Sequence, residues 1–234
     1  MNLKEEASKL GIEISENAIE NLDKYAELLV EYNKVMNLTA ITEREEIDEK
    51  HFLDSLTLLL SDKLFDGCKM IDIGAGAGFP SLPIKIARED IDVTMLDSLN
   101  KRVGFLNTVI ESLNLDKIKA IHSRAEDAGK AKEHRESYDI ATARAVAELC
   151  VLSELALPFV KVGGYFVAMK GNSPSNEIDR AKPAISKLGG KLREVKEITL
   201  PSGIKHTIVI MEKISKTPPA YPRKAGKPSK EPLL

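Results

Sequence analysis

Two short segments of this chain carry residues that can hold a small polar molecule. An apolar run ending at Ile73 breaks into alternating glycines, Gly74, Gly76 and Gly78. Because glycine has no side chain, such a loop brings bare backbone N–H groups and the start of the next helix close to a ligand. Asp97 ends a second apolar run nineteen positions after the last glycine, and its carboxylate can accept both hydroxyls of a ribose. The pairing predicts a nucleoside site at the carboxyl ends of parallel strands.

The spacing of the glycines discriminates between classes of nucleotide. A dinucleotide fingerprint, Gly-x-Gly-x-x-Gly, needs its third glycine where this chain has Phe79. The chain also has no Gly-x-x-x-x-Gly-Lys-Ser/Thr run, which argues against a triphosphate loop. Alternate glycines followed by an aromatic residue, without a nearby lysine, favour a nucleoside that carries an amino acid and a sulfonium. The candidate cofactor is S-adenosylmethionine; the alternative is a tight turn without a ligand, and the acidic residue on the next strand argues against that.

Composition bounds the class of protein. With 234 residues, 43% of them hydrophobic and 30% charged, the chain has the make-up of a globular protein with a sizeable core. Its apolar runs fall short of the roughly 20 residues that cross a bilayer, and its acidic start does not resemble a signal peptide. We therefore expect a cytoplasmic protein without membrane contact. Its two cysteines and four scattered histidines predict neither a disulfide nor a metal site.

The net charge of −2 is unevenly distributed along the chain. Residues 1–66 carry −9, residues 67–214 carry +3 and residues 215–234 carry +4. These segments are also our predicted parts: an N-terminal helical region, a cofactor-binding domain and a basic, proline-rich tail. A uniformly basic protein would indicate nonspecific nucleic-acid binding. In this chain a polyanion would instead meet a local patch formed by the tail and the glycine-strand domain.

Hydrophobic periodicity predicts helices in the first 66 residues. Apolar residues recur at helical spacing between residues 19 and 29, and again between residues 52 and 60, where the predicted helix ends near Phe65. Two capping boxes also predict helix starts. They pair Asn2 with Glu5 and Thr42 with Glu45.

From Lys69 onward, short apolar runs alternate with helical patterns, which predicts a parallel sheet with helices on both faces. The last two strands, 193–199 and 206–213, are separated by too few residues for a parallel crossover, so this pair should be antiparallel. The predicted fold is therefore α/β, Rossmann-like, with a seven-stranded, mostly parallel sheet and one antiparallel strand. This is the class I S-adenosylmethionine-dependent methyltransferase architecture, here with an N-terminal helical extension. The other predicted strands lie near 69–73, 92–96, 118–122, 138–143 and 164–169, and the helices near 81–89, 100–114, 147–161 and 175–188.

Further residues are candidates for cofactor binding, each with an ordinary structural alternative. Ala125 and Glu126 follow the third strand, where a carboxylate can accept from the adenine amine, or simply open a helix. Arg144 leaves the fourth strand where ligands sit in such sheets, or makes a surface salt bridge. Asp97 can instead cap the following helix, and Phe79 can be a core residue.

Six segments in order, spanning nearly the whole chain, resemble the 16S rRNA (guanine-N7) methyltransferase G family, also called glucose-inhibited division protein B. The resemblance implies a bacterial enzyme that methylates N7 of one guanosine in 16S ribosomal RNA with S-adenosylmethionine. It also implies cofactor contacts at Gly74, Phe79, Ala125, Glu126 and Arg144. The segments are Asn-Leu-Thr-Ala-Ile at 37–41, His51 with Asp-Ser-Leu at 54–56, Asp-Ile-Gly-Ala-Gly-Ala-Gly-Phe-Pro at 72–80, Ser-Arg-Ala-Glu at 123–126, Thr-Ala-Arg-Ala at 142–145 and Tyr-Pro-Arg-Lys-Ala-Gly at 221–226.

The implied reaction needs little acid–base chemistry. Guanine N7 has a lone pair and no proton, so positioning supplies most of the acceleration and we assign no catalytic residue. After the fourth strand the chain reads Arg-Ala-Val-Ala at 144–147, without the Asp/Asn-Pro-Pro-aromatic box used for exocyclic amines. A Pro-Cys nucleophile of the cytosine-C5 kind is also missing from the sequence. A ribose hydroxyl or a protein acceptor remains an alternative.

Candidate substrate contacts are Tyr221, Arg223 and Lys224 in the tail, with Arg102 and Lys170 in the domain. Prolines predict a tail that is extended rather than helical, with cations for phosphates and a tyrosine to stack on a base. A disordered, solvated tail is the alternative. The partner is 16S ribosomal RNA or the small ribosomal subunit, with the target base unpaired or displaced. The other functions kept open are methylation of a small molecule or protein, and a noncatalytic rRNA-binding assembly factor.

Overall fold

A computed structural model of the chain describes residues 1–144, 147–172 and 174–234. At its centre is a seven-stranded sheet with the strand order β3-β2-β1-β4-β5-β7-β6. β7 is antiparallel to both of its neighbours, and the other neighbouring pairs are parallel. The predicted fold and the predicted antiparallel pair are therefore confirmed. The strands are β1 (Lys69–Ile73), β2 (Asp92–Asp97), β3 (Ile118–His122), β4 (Tyr138–Arg144), β5 (Val160–Lys170), β6 (Gly190–Thr199) and β7 (Lys205–Lys213).

Helices cover both faces of this sheet and form two apolar clusters. One cluster joins the N-terminal helices and the helices after β1 and β2 to one face of the sheet. The other packs the helices after β4 and β5 against the opposite face, as expected for parallel strands buried on both sides. The helices are α1 (Leu3–Lys9), α2 (Glu16–Met36), α3 (Arg44–Ile47), α4 (Asp54–Leu56), α5 (Ser81–Ala87), α6 (Asn100–Ser112), α7 (Ala125–Ala128), α8 (Leu149–Ala156), α9 (Ser175–Lys187) and α10 (Lys227–Lys230).

The segment before β1 is helical but irregular. After α3 the chain forms a π-helical segment, Asp48–Leu53, then α4 and a 3-10 segment, Thr57–Ser61. The predicted end near Phe65 is too late, because Asp62 takes a left-handed φ of 57° and ends the helix. π-Helical turns are frequent at functional sites, and this one contains His51.

The two predicted capping boxes have different outcomes. The first predicts the helix start correctly, and its N-cap bond is confirmed, because the Asn2 side chain accepts from the Glu5 amide at 3.2 Å; the Glu5 carboxylate pairs with Lys9. The second is wrong, since α3 begins at Arg44 without a side-chain cap. A tertiary ion pair of Arg44 with Asp23 and an i,i+4 ion pair with Asp48 hold this turn instead.

Two further predictions need correction. The helix predicted over 147–161 ends at Ala156, a 3-10 turn containing Pro158 follows, and β5 begins at Val160, because proline cannot continue the helical hydrogen bonds. The tail was predicted to have no helix, yet it forms the short α10. Pro228 lies in the first turn of α10, where its missing N–H costs nothing.

The predicted division at residues 66 and 214 stays a prediction. The N-terminal helices share one apolar cluster with the sheet rather than forming a core of their own. Among the described residues, none of the helices is both long and apolar enough to cross a membrane.

Candidate active site

The glycine loop between β1 and α5 has a backbone conformation that few residues other than glycine adopt. Gly74, Gly76 and Gly78 have φ angles of 75°, 61° and 102°, in the left-handed region. The amides of Gly74 and Ala75 donate to the Leu96 carbonyl at 2.8 and 3.0 Å. The loop is thereby tied to β2, at the carboxyl ends of two parallel strands.

The glycines of this loop differ in what a side chain would meet. A Cβ at Gly78 would collide with the Leu82 side chain and lie 2.9 Å from the Tyr25 hydroxyl, so packing excludes one. A Cβ at Gly76 would have the Gly74 carbonyl oxygen, at 3.9 Å, as its nearest neighbour. Gly76 therefore faces open space, whereas Gly78 is required by the core beneath the loop.

Two cavities meet at the carboxyl ends of β1 and β2. The larger has a volume of about 360 Å³ and the smaller about 120 Å³, and both are lined by Gly74, Asp97 and Ser98. The larger cavity, which we call the cofactor cavity, is also lined by Leu38, Thr39, His51, Ala75, Gly76, Ala77, Phe79, Arg102 and Arg144. The smaller, which we call the adenine cavity, is also lined by Ile73, Leu96, Ser123, Arg124, Ala125, Glu126 and Leu155.

Asp97 lies at the junction of these cavities and is only 2% exposed. Its Oδ2 accepts from the Gly76 amide at 2.9 Å, and its Oδ1 accepts from the Leu99 amide at 2.8 Å. Arg102 Nη1 lies 3.6 Å from Oδ2. The carboxylate therefore braces the glycine loop and the start of α6, so it has a structural role; as a ribose acceptor it stays a prediction.

Arg144 connects β4 to the π-helical segment. Its Nη1 donates to Asp54 Oδ2 at 2.7 Å and to the Lys50 carbonyl at 3.2 Å, and its Nη2 lies 3.3 Å from His51 Nδ1. The Arg144 and Asp54 side chains are each 15% exposed, so this is not a surface salt bridge. The ion pair fixes the N-terminal segment over the ends of the strands.

Phe79 is both a core residue and a wall of the cofactor cavity. One group of neighbours consists of the Tyr25 and Phe52 rings, with centroids 5.6 and 6.2 Å away. The other consists of the His51 ring, stacked at 4.3 Å, and the Arg144 guanidinium, 4.7 Å from the ring centre. Phe79 can therefore be a core residue and also line the cofactor cavity. Its ring packs against Tyr25 and Phe52 in the core and also contacts the polar side chains of His51 and Arg144.

His51 is held neutral by its surroundings. Burial and the Arg144 charge lower the pKa of His51 to about 4. Because a guanidinium has only donors, Nδ1 of His51 must accept, which assigns the proton to Nε2. That nitrogen lies 2.8 Å from Thr39 Oγ1, so Thr39 accepts it.

A third cavity, of about 330 Å³, adjoins the cofactor cavity. The two share His51 and Arg144, so a molecule in the third cavity would meet one in the cofactor cavity across these side chains. We call it the acceptor cavity. Its lining residues are Lys50, His51, Asp54, Arg144, Met169, Lys170, Gly171 and His206.

The ionisable groups of the acceptor cavity are engaged with one another, with the backbone or with carboxylates just outside the cavity, as Lys50 is with Glu46. Burial opposes ionisation of Asp54, but His206, whose Nδ1 lies 2.9 Å from Oδ1, and Arg144 outweigh it and lower the pKa of Asp54. Lys170 Nζ donates to the Ala147 carbonyl at 2.8 Å and lies 2.7 Å from a Glu177 oxygen. Such a cavity is suited to holding a substrate in place rather than to removing a proton from it.

Asp72, on β1, is fully buried behind the glycine loop. Its Oδ2 accepts from Ser81 Oγ at 2.6 Å, whereas its Oδ1 has no partner among the described residues. Burial raises the pKa of Asp72 to about 7, against the opposing effects of Ser81 and Arg144. The charge of this buried carboxyl group therefore depends on pH near neutrality.

The predicted tail residues lie on the domain surface near α8. Arg223 makes a two-oxygen ion pair with Glu154, at 2.6 to 3.1 Å, and Glu154 is only 1% exposed. The Tyr221 ring lies beneath Lys187 Nζ, and Lys224 is exposed. As RNA contacts, all three tail residues stay predictions, and Arg223 has a structural partner as well.

Several residues of the site were missed by the sequence analysis as individual contributors. Those are Thr39, His51 and Asp54 from the N-terminal region, Asp72 on β1 and His206 on β7. Most of them lie in segments that carry the family resemblance, which was their only signal. Residues 145 and 146, within the predicted turn after β4, lie outside the described residues.

The site fits an adenosyl donor on its own geometry. The cofactor cavity and the adenine cavity share Gly74, Asp97 and Ser98, and the open side of Gly76 leaves the loop backbone accessible. The glycine loop and Phe79 would hold the amino acid part, Asp97 the ribose, and Ala125 and Glu126 the adenine. When bound, S-adenosylmethionine supplies a methyl group on a sulfonium. The described residues include no cluster of ligands suited to a metal.

Fold and site together define a class I S-adenosylmethionine-dependent methyltransferase. Solved structures support the fold. TrmN from Thermus thermophilus superposes with a TM-score of 0.55 at 19% identity, over 69% of this chain and 48% of that one. M. jannaschii TYW2 in complex with AdoMet superposes with a TM-score of 0.54 at 17% identity, over 67% of this chain and 74% of that one.

The chain belongs to the rRNA small subunit methyltransferase G family, whose profile matches residues 18–207. Two relatives carry the description ribosomal RNA small subunit methyltransferase G. The protein from Alkaliphilus metalliredigens is 51% identical over 234 residues, which is 100% of this chain and 98% of the relative. The protein from Lactobacillus johnsonii is 51% identical over 231 residues, which is 97% of each. The family resemblance in the sequence is thus confirmed.

Proposed function

We propose that this protein methylates N7 of a guanosine in 16S ribosomal RNA, with S-adenosylmethionine as methyl donor. Family membership over the full chain supports an rRNA substrate. One structural observation supports the acceptor chemistry. The acceptor cavity adjoins the cofactor cavity, and Arg144, at their boundary, is already paired with His51, also at the boundary, and with Asp54 of the acceptor cavity.

The state of these groups suits an acceptor that has no proton to lose. His51 is neutral but its Nδ1 faces Arg144, and Asp54 is held between Arg144 and His206. Neither is placed as a free base. Guanine N7 attacks with an in-plane lone pair, so the site needs to supply orientation and exclusion of water. An exocyclic amine or a ribose hydroxyl would need a group to take its proton.

The target guanine would enter the acceptor cavity as an unpaired or displaced base. N7 lies in the deep major groove of paired RNA, where a protein cannot reach it, so extrusion of the base is the accessible route. Lys50 and Lys170 line the cavity, but Lys50 is ion-paired with Glu46 and Lys170 with Glu177. Each would have to exchange its carboxylate partner to reach a phosphate or the guanine O6. Arg102, 40% exposed beside Asp97, and Lys224 are further positions for RNA contact.

We expect the physiological partner to be the small ribosomal subunit or its RNA, in the cytoplasm. The net negative charge of residues 1–66 disfavours extended contact between that region and RNA. RNA would therefore be attracted mainly to the sheet domain and the tail, which carry the net positive charge, and would meet the N-terminal region where Lys50, His51 and Asp54 line the acceptor cavity.

The test is to map N7-methylguanosine in 16S rRNA from cells with and without this protein. The expected result is one guanosine that loses the mark when the protein is missing and regains it when purified protein and S-adenosylmethionine are added to small subunits or to naked RNA. A protein that binds S-adenosylmethionine but leaves every rRNA guanine N7 unmodified would contradict the proposal. Methyl transfer to a small molecule or protein, or ribosome association without cofactor affinity, would support the alternatives.

A further inference from the structure

The C-terminal tail, residues 215–234, is docked on the domain by buried polar contacts. The Arg223 amide donates to Glu154 Oε1 at 2.8 Å, in addition to the guanidinium contacts. Glu154 lies on α8 and is almost fully buried, so it needs its partner. This pair is a stronger anchor than a surface salt bridge, because neither group is well solvated when the other is removed.

A second clamp holds the first half of the tail. Arg135 donates to the carbonyls of Thr217 and Tyr221, both at 2.8 Å, and to the Gly129 carbonyl at 3.0 Å. Gly129 follows α7, and a Cβ there would lie 3.1 Å from a Pro222 ring atom. The tail therefore packs directly against the end of α7.

α7 carries Glu126, the carboxylate of the adenine cavity, and the tail reaches it. The Gly226 amide donates to Glu126 Oε1 at 2.9 Å. Gly226 lies three residues after the Arg223 anchor, and Leu155 of the adenine cavity directly follows Glu154. One continuous set of contacts thus runs from the buried ion pair through the tail to Glu126.

We infer that the tail is a positioning element of the cofactor site: by holding Oε1 of Glu126, it directs Oε2 toward the exocyclic amine of adenine. This inference rests on the proposed function, because it takes the adenine cavity as the cofactor's. Glu126 is on a helix of only four residues and is partly exposed. Without the Gly226 N–H, its flexible side chain must be ordered when the cofactor binds. The tail removes that cost in advance.

The experiment measures the affinity for S-adenosylhomocysteine by calorimetry in full-length variants. Arg223→Met with Glu154→Leu removes both charges together, so that neither is left buried and unpaired. We expect the Kd to rise about tenfold, the cost of ordering one long side chain. Lys230→Ala, which removes another tail cation at an exposed position, is the matched control and should leave the Kd unchanged.

Two further measurements separate positioning of Glu126 from a general loosening of the site. In a Glu126→Ala background, the paired substitutions should add no further loss, because the group they act through is gone. An analogue in which hydrogen replaces the adenine exocyclic amine should bind wild type and the double variant equally well. Equal weakening for both ligands would instead indicate a merely structural role and would overturn the inference.

Folding of the double variant is checked by thermal unfolding. If it does not fold, Arg223→Lys keeps the positive charge beside Glu154 but loses the two-oxygen contact, and a smaller rise in Kd is expected. An unchanged cofactor Kd with a loss of rRNA affinity alone would make the tail an RNA contact and overturn the inference. A wild-type protein without cofactor affinity would overturn the proposed function as well.

Discussion

The two halves of the site are built in different ways. The cofactor half rests on backbone geometry within one contiguous loop, in which Gly74, Gly76 and Gly78 hold left-handed conformations. The acceptor half rests on side chains from distant parts of the chain, and Arg144 joins Asp54 and His51 across about 90 residues. The comparison teaches that binding of a cofactor can be encoded locally, whereas placement of the acceptor depends on how the N-terminal segment docks on the sheet.

The largest effect is expected in the cofactor half. Gly76→Asp puts a charged side chain into the open space beside the loop, at a φ of 61° that aspartate tolerates better than most residues. We expect the fold to survive and the affinity for S-adenosylmethionine to fall roughly 100-fold or more, about 3 kcal/mol. Calorimetry measures the affinity and circular dichroism checks the fold. An affinity within threefold of wild type would show that the donor does not use this loop.

The second prediction changes the acceptor half and leaves the glycine loop of the cofactor half unchanged. Asp54→Asn keeps the shape of the side chain but removes the charge between Arg144 and His206, so we expect methyl transfer to fall on the order of 100-fold through mispositioning. The cofactor Kd should change by less than about threefold, since Asp54 does not line the cofactor cavity. Arg144→Lys is the comparison, because Arg144 lines both cavities and both quantities should then change. A loss of cofactor affinity in Asp54→Asn equal to its loss of rate would contradict the division.

The two halves should also respond oppositely to pH. The pKa of Asp72 is raised to about 7, so between pH 4 and 7 the folded state keeps a proton that the unfolded state has lost. This contribution to the free energy of unfolding is fully present below pH 4 and is lost as the pH rises through 7. The pKa of His51 is lowered to about 4, so between pH 4 and 6.5 the unfolded state binds the extra proton, and its contribution rises with pH.

Urea unfolding of single variants separates these two slopes. Asp72→Asn should remove a decrease in the free energy of unfolding between pH 4 and 7. His51→Gln should remove an increase in the free energy of unfolding between pH 4 and 6.5. Each slope is at most about 1.4 kcal/mol per pH unit. The slope difference from wild type is the quantity compared, so that groups common to all three proteins cancel. Slope changes of the same sign in both variants would contradict the assignment.

The smallest effect is expected where neither half is involved. Gly104 lies within α6 and a Cβ there would meet no atom within 4 Å. Gly104→Ala should therefore raise the free energy of unfolding by about 0.5–1 kcal/mol, with cofactor affinity and rate unchanged. Denaturant unfolding measures it, and a destabilised variant would show that α6 has a neighbour at this face.

Much of the fold could be predicted because its signals are local. Parallel strands are short apolar runs, and the bounds of the buried strand β1 and of the edge strand β3 were both found from such runs. The short connection before β7, five residues in the structure, was recognised in the same way. The errors lie where a tertiary contact overrides the local pattern. Arg44, which is ion-paired with the distant Asp23, begins α3, and Thr42, which has the better capping sequence, does not.

The candidate site divides in the same way. Asp97 and the glycines were recognisable because a loop that needs left-handed φ angles must contain glycine at fixed positions. His206 was not recognisable, because nothing near it in sequence shows that Thr57 and Asp54 will lie 3.0 and 2.9 Å from its ring nitrogens. The tail cations also could not be sorted from sequence, since only packing shows that Arg223 meets a buried carboxylate and Lys224 meets solvent.

The sheet, the cofactor loop and the family could be predicted from the sequence, because strand pattern and left-handed glycine positions are properties of neighbouring residues. Which charges are paired and which are free depends on tertiary packing. The burial of Asp54, Asp72 and Glu154 depends on segments far apart in the chain. Burial and pairing set the pKa and the orientation of a side chain, and thereby its chemistry. Both depend on contacts between distant segments, which form only when the chain folds.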